Sequence, residues 1–321
     1  MLSLSKLKKT GGGFNTKEFI NKYAIVLILL GMMIFLSILS PVFLTTRNLT
    51  NVLRQISVTT IIGFGVTFTI ITTGIDLSSG SLVALVGVIA ASYAHPGSSI
   101  IVAILIGCAV GALAGLINGS ISAYGKIPPF IATLGMMIAA RGVALLYTGG
   151  TPVTNLSPAF QYIGSGYFLG VPVPIIIMLL VAIISHILLK HTKFGKYTFA
   201  VGGNERAALV SGINVKKHLV LIYGYAGLLS GIAAIVLASR LDAGQPTAGL
   251  AYEFDAITAA VIGGTSLLGG VGSIPGVIVG GLIVGFLTNG LDLMNVSSYW
   301  QQILKGIIIV AAVLLDRFKN K

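Results

Sequence analysis

Few side chains in this 321-residue sequence are equipped for chemistry, and their spacing argues against most of the chemistry they could do. The phosphate-cradling pattern of a glycine, four residues and then Gly-Lys-Ser/Thr does not occur, so any ATP must be hydrolysed by another chain. His186 and His191 stand five apart, one more than the spacing that aligns two imidazoles on a helix for a metal. The single cysteine, Cys108, is remote from both and reads as packing. No Gly-x-Ser-x-Gly elbow occurs with a histidine and an acid to serve it. The sequence therefore predicts no catalytic residues, no metal and no cofactor; it does not read as an enzyme.

Charges inside apolar runs are equally scarce. Ion-coupled symporters place acids within their membrane spans, but here Asp76, Asp242, Glu253, Asp255 and Asp292 fall at predicted ends or turns. Only Arg141 and Lys305 are candidates for burial. Arg141 reads either as lining a path for polar cargo or as a structural partner for carbonyls or for an acid such as Asp76. Lys305, near a helix entrance, reads as a snorkelling side chain. Between two spans lies Gly-Ile-Asp-Leu-Ser-Ser-Gly-Ser, residues 74–81. Its Asp76, Ser78, Ser79 and Ser81 suit either an N-cap for the next helix or a gate on the cytoplasmic side of a path. Residues 202–213 read as a short helix capped by Asn204, with Glu205 at its positive end and Gly212 closing it. Such a helix is either a docking knob for a soluble partner or a plain interfacial segment.

The elements that must position these residues follow from composition. Only 9% of residues are charged, against about 25% in soluble chains, while 55% are hydrophobic and 42 are glycine. Mean hydropathy is +0.99. The chain belongs in a bilayer. At about 20 residues per span, apolar runs at 24–44, 56–73, 79–93, 100–124, a fifth ending near Tyr147, 172–189, 218–238, 256–268, 274–291 and 299–315 give about ten transmembrane helices. The eighth is short enough to be a re-entrant half-span. Residues 149–171 carry no charge and suit a long external loop.

The formal charge of +12 is concentrated at 1–23, 190–217 and 316–321. Each cluster flanks an apolar run, which is the positive-inside pattern. It predicts cytoplasmic N- and C-terminal tails around a transmembrane domain at 24–315, with a cytoplasmic loop at 190–217. Nucleic acid is not an expected partner, because aromatic interleaving and any nucleic-acid motif are missing. Gly111, Gly115 and Gly119, Gly276 and Gly280, and Gly281 and Gly285 are spaced by four, so each set clears one helix face for close crossing.

Taken together, residues 202–213, the run 74–81 and the stretch Gln245-Pro246-Thr247-Ala248-Gly249, Tyr252 to Ile257 and Gly263 to Leu267 resemble the permease subunits of bacterial ribose-type ABC importers. Asn289-Gly290-Leu291 and Val296-Ser297-Ser298-Tyr299 continue the resemblance, which covers about 39–313 in the same order. It implies an all-α polytopic integral membrane protein of the ABC importer type II-like permease fold in the cell inner membrane. The implied partners are a second copy of the chain, cytoplasmic ATPase subunits, an extracytoplasmic sugar-binding protein and the surrounding lipid. The implied cargo is a small neutral sugar, ribose first, with xylose, galactose or autoinducer-2 as alternatives and an ion-coupled secondary transporter as the remoter one. By the same resemblance, Gly202, Gly203, Asn204, Glu205, Ala207, Ala208 and Gly212 form the coupling element for the ATPase. Asp76, Ser78, Ser81, Arg141, Gln245 and Asn289 become candidates for the translocation path or its gate. Ser79, Gly244 and Leu250-Ala251 depart from the commoner residues of that family. Specificity in such systems rests largely with the binding protein, so these departures bear little on the cargo.

Overall fold

The computed structural model describes residues 16–319, with the side chains of 24–311 and 314. The basic tails expected at 1–23 and 316–321 lie outside those side chains. Among the described residues thirteen helices follow one another. The first half holds α1 (Thr16–Leu39), α2 (Thr46–Ile71), α3 (Ser79–Ser92), α4 (Ile100–Gly125) and α5 (Pro129–Thr148). Then come α6 (Pro158–Ser165), α7 (Val173–His191), α8 (Lys193–Gly203) and α9 (Glu205–Val210), and finally α10 (Val215–Leu241), α11 (Tyr252–Ile262), α12 (Ile274–Leu293) and α13 (Ser298–Lys319).

Six of these, not ten, are both long and apolar enough to cross a membrane: α2, α4, α5, α7, α10 and α12. Ala24–Leu39 and Ser79–Ser92 are apolar but shorter. At 14 residues α3 is about 21 Å long, and at 11 residues α11 is about 16 Å, roughly half a hydrocarbon core. The polar stretch 45–55, expected as a connection, is helical instead, because Thr45 accepts the Asn48 amide and starts α2 a full ten residues early. The expected external loop likewise contains α6 and a small hairpin, β1 (Tyr167–Phe168) and β2 (Val171–Pro172). Leu169 and Gly170 turn that hairpin with positive φ at both positions, the backbone twist a two-residue hairpin loop favours.

The centre is built by α2 and α10. Along α4, a β-carbon at Gly111, Gly115 or Gly119 would strike the α10 backbone at Gly227, Tyr223 or Val220. Gly276 and Gly280 of α12 approach Gly263 and Ala259 of α11 in the same way, while Gly281 and Gly285 admit Thr60 and Ile56 of α2. Packing without side chains brings helix axes together where lipid offers no hydrophobic drive between them.

These contacts expose an internal symmetry of opposite sense. Helix α2 runs on through an interruption, 72–78, into short α3, and α10 runs on through 242–251 into short α11. Both α2 and α10 lie beside the other unit's short helix and against its following long helix, α12 or α4. The end of α2 meets the α11–α12 turn, where Gly270 N donates to the Ile71 carbonyl at 2.9 Å. In matching fashion the end of α10 meets α3, with Gly244 seated over Val88 and Ala91. Inverted repeats with interrupted helices are a recurrent architecture of membrane transporters, and their binding sites lie where the interruptions meet.

Candidate functional site

The two interruptions meet at Gly80 and Gly249. Gly249 has φ of 70°, and a β-carbon on it would run into the Gly80 carbonyl and reach Val83 at 3.2 Å. Only glycine permits both that backbone conformation and that approach. The Glu253 carboxylate also reaches Gly80, at the first turn of α3, where the helix N-terminus favours a negative group. Thus the N-termini of α3 and α11, two half-length helices, are brought together inside the protein.

The first interruption is closed by hydrogen bonds from uncharged groups, gathered about the carboxyl of Asp76. Asp76 is buried to 1% exposure, and its Oδ1 accepts from the Ser78 amide at 2.9 Å and the Ser78 hydroxyl at 2.6 Å. Asn118 of α4 donates to Ser78 Oγ at 2.9 Å. Thr133 of α5 donates to the Ile75 carbonyl at 3.1 Å, and its oxygen accepts from the Leu77 amide at 3.2 Å. Ser78 stands at the N-cap of α3, but its side chain makes no capping bond. The expected cap is therefore replaced by a turn closed on Asp76. The fully buried ring of Tyr223 lies against Gly74, so α10 contributes its wall to the same place.

Cations hold the second interruption. Arg141 Nη1 donates to the carbonyls of Pro246 and Ala248 at 2.8 and 2.7 Å, not to Asp76. Lys305 does not snorkel: its Nζ pairs with Asp255 at 2.9 Å, the two side chains being 31% and 15% exposed. Ala251, with φ of 65°, starts α11 without a side-chain cap, and Glu253 and Asp255 occupy its first turn. Gln245 is half-buried beside Val83 and Gly87.

Of the path residues expected from sequence, Asp76 and Ser78 are joined directly, Ser81 is buried in α3, and Arg141 and Gln245 belong to the second interruption. Asn289 lies elsewhere. It exchanges two amide hydrogen bonds with Asn48, at 2.9 and 3.0 Å, and ties α12 to the start of α2. Asn118, Thr133 and Tyr223 were not singled out by sequence, and Glu253 was named only as an acid at a predicted end or turn. Asn118 had a usable signal, being the one carboxamide in the apolar run of α4.

Residues 190–217 hold two helices rather than one, α8 and α9, joined at extended Asn204. Asn204 Oδ1 accepts the Ala207 amide at 3.0 Å, Glu205 occupies the first turn of α9, and Gly212 ends it with φ of 84°. The bonds from Gly212 N to Leu209 O and from Ile213 N to Ala208 O close the helix. Ala208 packs on Val201 and Val215, whereas Leu209 and Val210 are 62% and 89% exposed. The result is a small rigid projection with an apolar tip. Gly202 faces inward, and Gly203 has no atom within 4 Å of where a β-carbon would stand.

A membrane domain with inverted broken-helix units is the architecture of a transport permease, not of an enzyme. Residues 48–313 match the family described as "Branched-chain amino acid transport system / permease component", and the chain belongs to that family. It is 50% identical over 291 residues to the ribose import permease protein RbsC of Bacillus subtilis (strain 168), covering 90% of each chain. Its identity to the Escherichia coli (strain K12) protein of the same name is 46% over 315 residues, 97% of this chain and 98% of the other. The D-allose transport system permease protein AlsC of the same strain is 40% identical over 310 residues, 96% of this chain and 95% of that one. No solved structure is a significant match.

Proposed function

We propose that the chain is the permease subunit of an ABC importer for ribose, working with separate cytoplasmic ATPase subunits and an extracytoplasmic sugar-binding protein. The observation that carries this reading is the 46–50% identity to two ribose import permeases along nearly the whole length. The first interruption agrees with a neutral cargo, since hydroxyl, carboxamide and backbone groups surround its single carboxyl, Asp76. An amino-acid zwitterion, the cargo suggested by the family's description, would call for fixed charges of both signs. Arg141 and Lys305 are already bound to carbonyls and to Asp255.

In this reading the chain passes the membrane ten times, counting α1, α13 and the half-length α3 and α11, with both termini and the α8–α9 projection cytoplasmic. The exposed tip of α9 seats in the ATPase. A second copy packs on α5, where Gly135 and Gly142 have open space beside them. Asp76, Ser78, Ser81 and Gln245 serve the path or its gate, while Arg141 serves the gate by holding its backbone.

The test is uptake into vesicles containing the permease and its ATPase, with ATP on the ATPase side and the loaded binding protein on the opposite side. Ribose accumulation that needs ATP and both partners is the expected result. Preferential accumulation of allose or xylose would move the cargo within the family. Uptake by the permease alone, driven by an ion gradient, would overturn the importer reading.

A further inference from the structure

Three chain segments meet backbone to backbone just beneath the first interruption. The end of α8 arrives with Gly202, the end of α2 with Ile71, and the α11–α12 turn with Gly269, Gly270 and Gly272. Gly270 N donates to Ile71 O at 2.9 Å. A β-carbon on Gly202 would fall on that same Ile71 carbonyl and stand 2.7 Å from Gly270 N. One on Gly269 would press at 2.5 Å on Thr73 Cγ2 and at 2.7 Å on Gly202 O. Gly272 faces the Ile71 side chain, whose Cδ1 and Cγ1 would be 2.8 Å from an added β-carbon. No flexible side chain separates α8 from the two stems, so a displacement of α8 has nothing soft to be absorbed in.

Each stem leads to an interruption. One residue beyond Ile71 begins 72–78, which carries Asp76, and the Gly269–Gly272 turn belongs to the connection that follows the lower end of α11, whose upper end meets Gly80. We propose that Gly202 is the positioning residue of a mechanical joint that delivers movement of α8 and α9 to both interruptions at once. This inference rests on the importer reading above and deepens it. It separates buried Gly202 from exposed neighbouring Gly203 and from the exposed α9 tip.

The experiment uses the complete importer in vesicles and reads three quantities: ATPase retained on the purified permease, ATP hydrolysis stimulated by loaded binding protein, and sugar moved per ATP. Gly202→Ala retains the ATPase and its hydrolysis, while sugar per ATP falls about tenfold, within the usual range of coupling between sites. Gly31→Ala in α1, where an added β-carbon meets nothing within 4 Å, leaves all three unchanged. Gly272→Ala is the milder wedge, because the Ile71 side chain can move, and it lowers sugar per ATP about threefold. Adding Ile71→Ala to Gly272→Ala removes both Cδ1 and Cγ1 from the added β-carbon, returns the space and restores the ratio. A merely structural defect would reduce the amount of assembled importer and leave the ratio of the survivors alone, so a normal ratio in Gly202→Ala overturns the joint. Loss of the ATPase from Gly202→Ala would make it a docking residue and overturn the joint as well. If Gly202→Ala fails to insert, the Gly272→Ala pair decides: no fall in ratio, or a fall that Ile71→Ala does not relieve, overturns the proposal. A wild-type importer with no ATP-driven uptake would overturn the importer reading itself, a result distinct from all of these.

Discussion

Residues 72–78 and 242–251 interrupt α2 and α10 at equivalent places in the two inverted units, yet different chemistry holds them. Around the first, Ser78, Asn118 and Thr133 exchange neutral hydrogen bonds about one carboxylate. Around the second, Arg141 takes two backbone carbonyls and Lys305 takes Asp255 at the first turn of α11. Local sequence explains the difference. The first segment carries its own polar side chains, so its amides and hydroxyls are satisfied close at hand. The second reads Asp-Ala-Gly-Gln-Pro-Thr-Ala-Gly-Leu-Ala, mostly residues without a side-chain donor, and its Pro246 and Ala248 carbonyls are met by Arg141 rather than by its own Gln245 or Thr247. Away from water an unpaired carbonyl is costly, so the donors must come from another helix, and a guanidinium supplies several at once. A gate closed by short neutral bonds can open by exchanging them for sugar hydroxyls; a segment clamped by cations is better suited to stay in place.

The largest effect expected from this contrast is at Arg141. Arg141→Ala leaves the Pro246 and Ala248 carbonyls without their donor, and charge-assisted bonds of this kind are worth about 1.5–3 kcal/mol each. Thermal unfolding in detergent is expected to show a loss of about 3 kcal/mol. Arg141→Gln, which keeps a donor but no charge, recovers only a small part of it. Full recovery by Gln would mean that the charge is irrelevant and that the two interruptions do not differ.

Next in size is the Lys305–Asp255 pair. Lys305→Ala strands a mostly buried carboxylate and Asp255→Asn leaves the ammonium without its counter-charge, each costing about 2 kcal/mol, below the roughly 3–5 kcal/mol of a fully buried pair because Lys305 is part-exposed. The double variant is expected to lose less than the sum of the two, by about 1 kcal/mol. Strict additivity in a double-mutant cycle would remove Lys305 from the clamp.

A smaller effect is expected at Ser78. Ser78→Ala removes the acceptor of Asn118 and one donor to Asp76, at about 1–2 kcal/mol. Asn118→Leu in the same background should cost little more, since the pair is already broken. A further large loss would give Asn118 a partner other than Ser78.

How much of this could be read in advance follows from the kind of signal each feature leaves. Apolar runs and glycines at intervals of four are periodic, so most helices, and the glycine faces of α4 and α12 on which close crossings form, were legible, but not the partners α10 and α11. Asn204 and Gly212 were legible as helix punctuation because capping is a local property. Polar composition misled at 45–55, where Thr45 capping lets a polar turn remain helical. Partner choice was the illegible part. Arg141 lies 105 positions from Pro246 and Lys305 lies 50 from Asp255, and only the inverted arrangement of the units brings them together. Asn289 shows the same limit: a motif placed it near the path, and folding placed it on Asn48.

The finest test is the one in which a charge should not matter. Asp76→Asn keeps an Oδ1 acceptor for the Ser78 amide and hydroxyl, the contacts that Asp76 makes. If the first interruption is held by neutral bonding, this variant stays within about 0.5 kcal/mol of wild type, and uptake changes by less than about twofold. Asp76→Ala, which removes the acceptor, should cost about 1–3 kcal/mol. The contrast with Arg141→Gln is the decisive one: a neutral replacement is tolerated on one side of the Gly80–Gly249 contact and not on the other. Should Asp76→Asn prove as damaging as Arg141→Gln, the carboxylate charge itself would be part of the gate, and the first interruption would need a cation yet to be found among its neighbours.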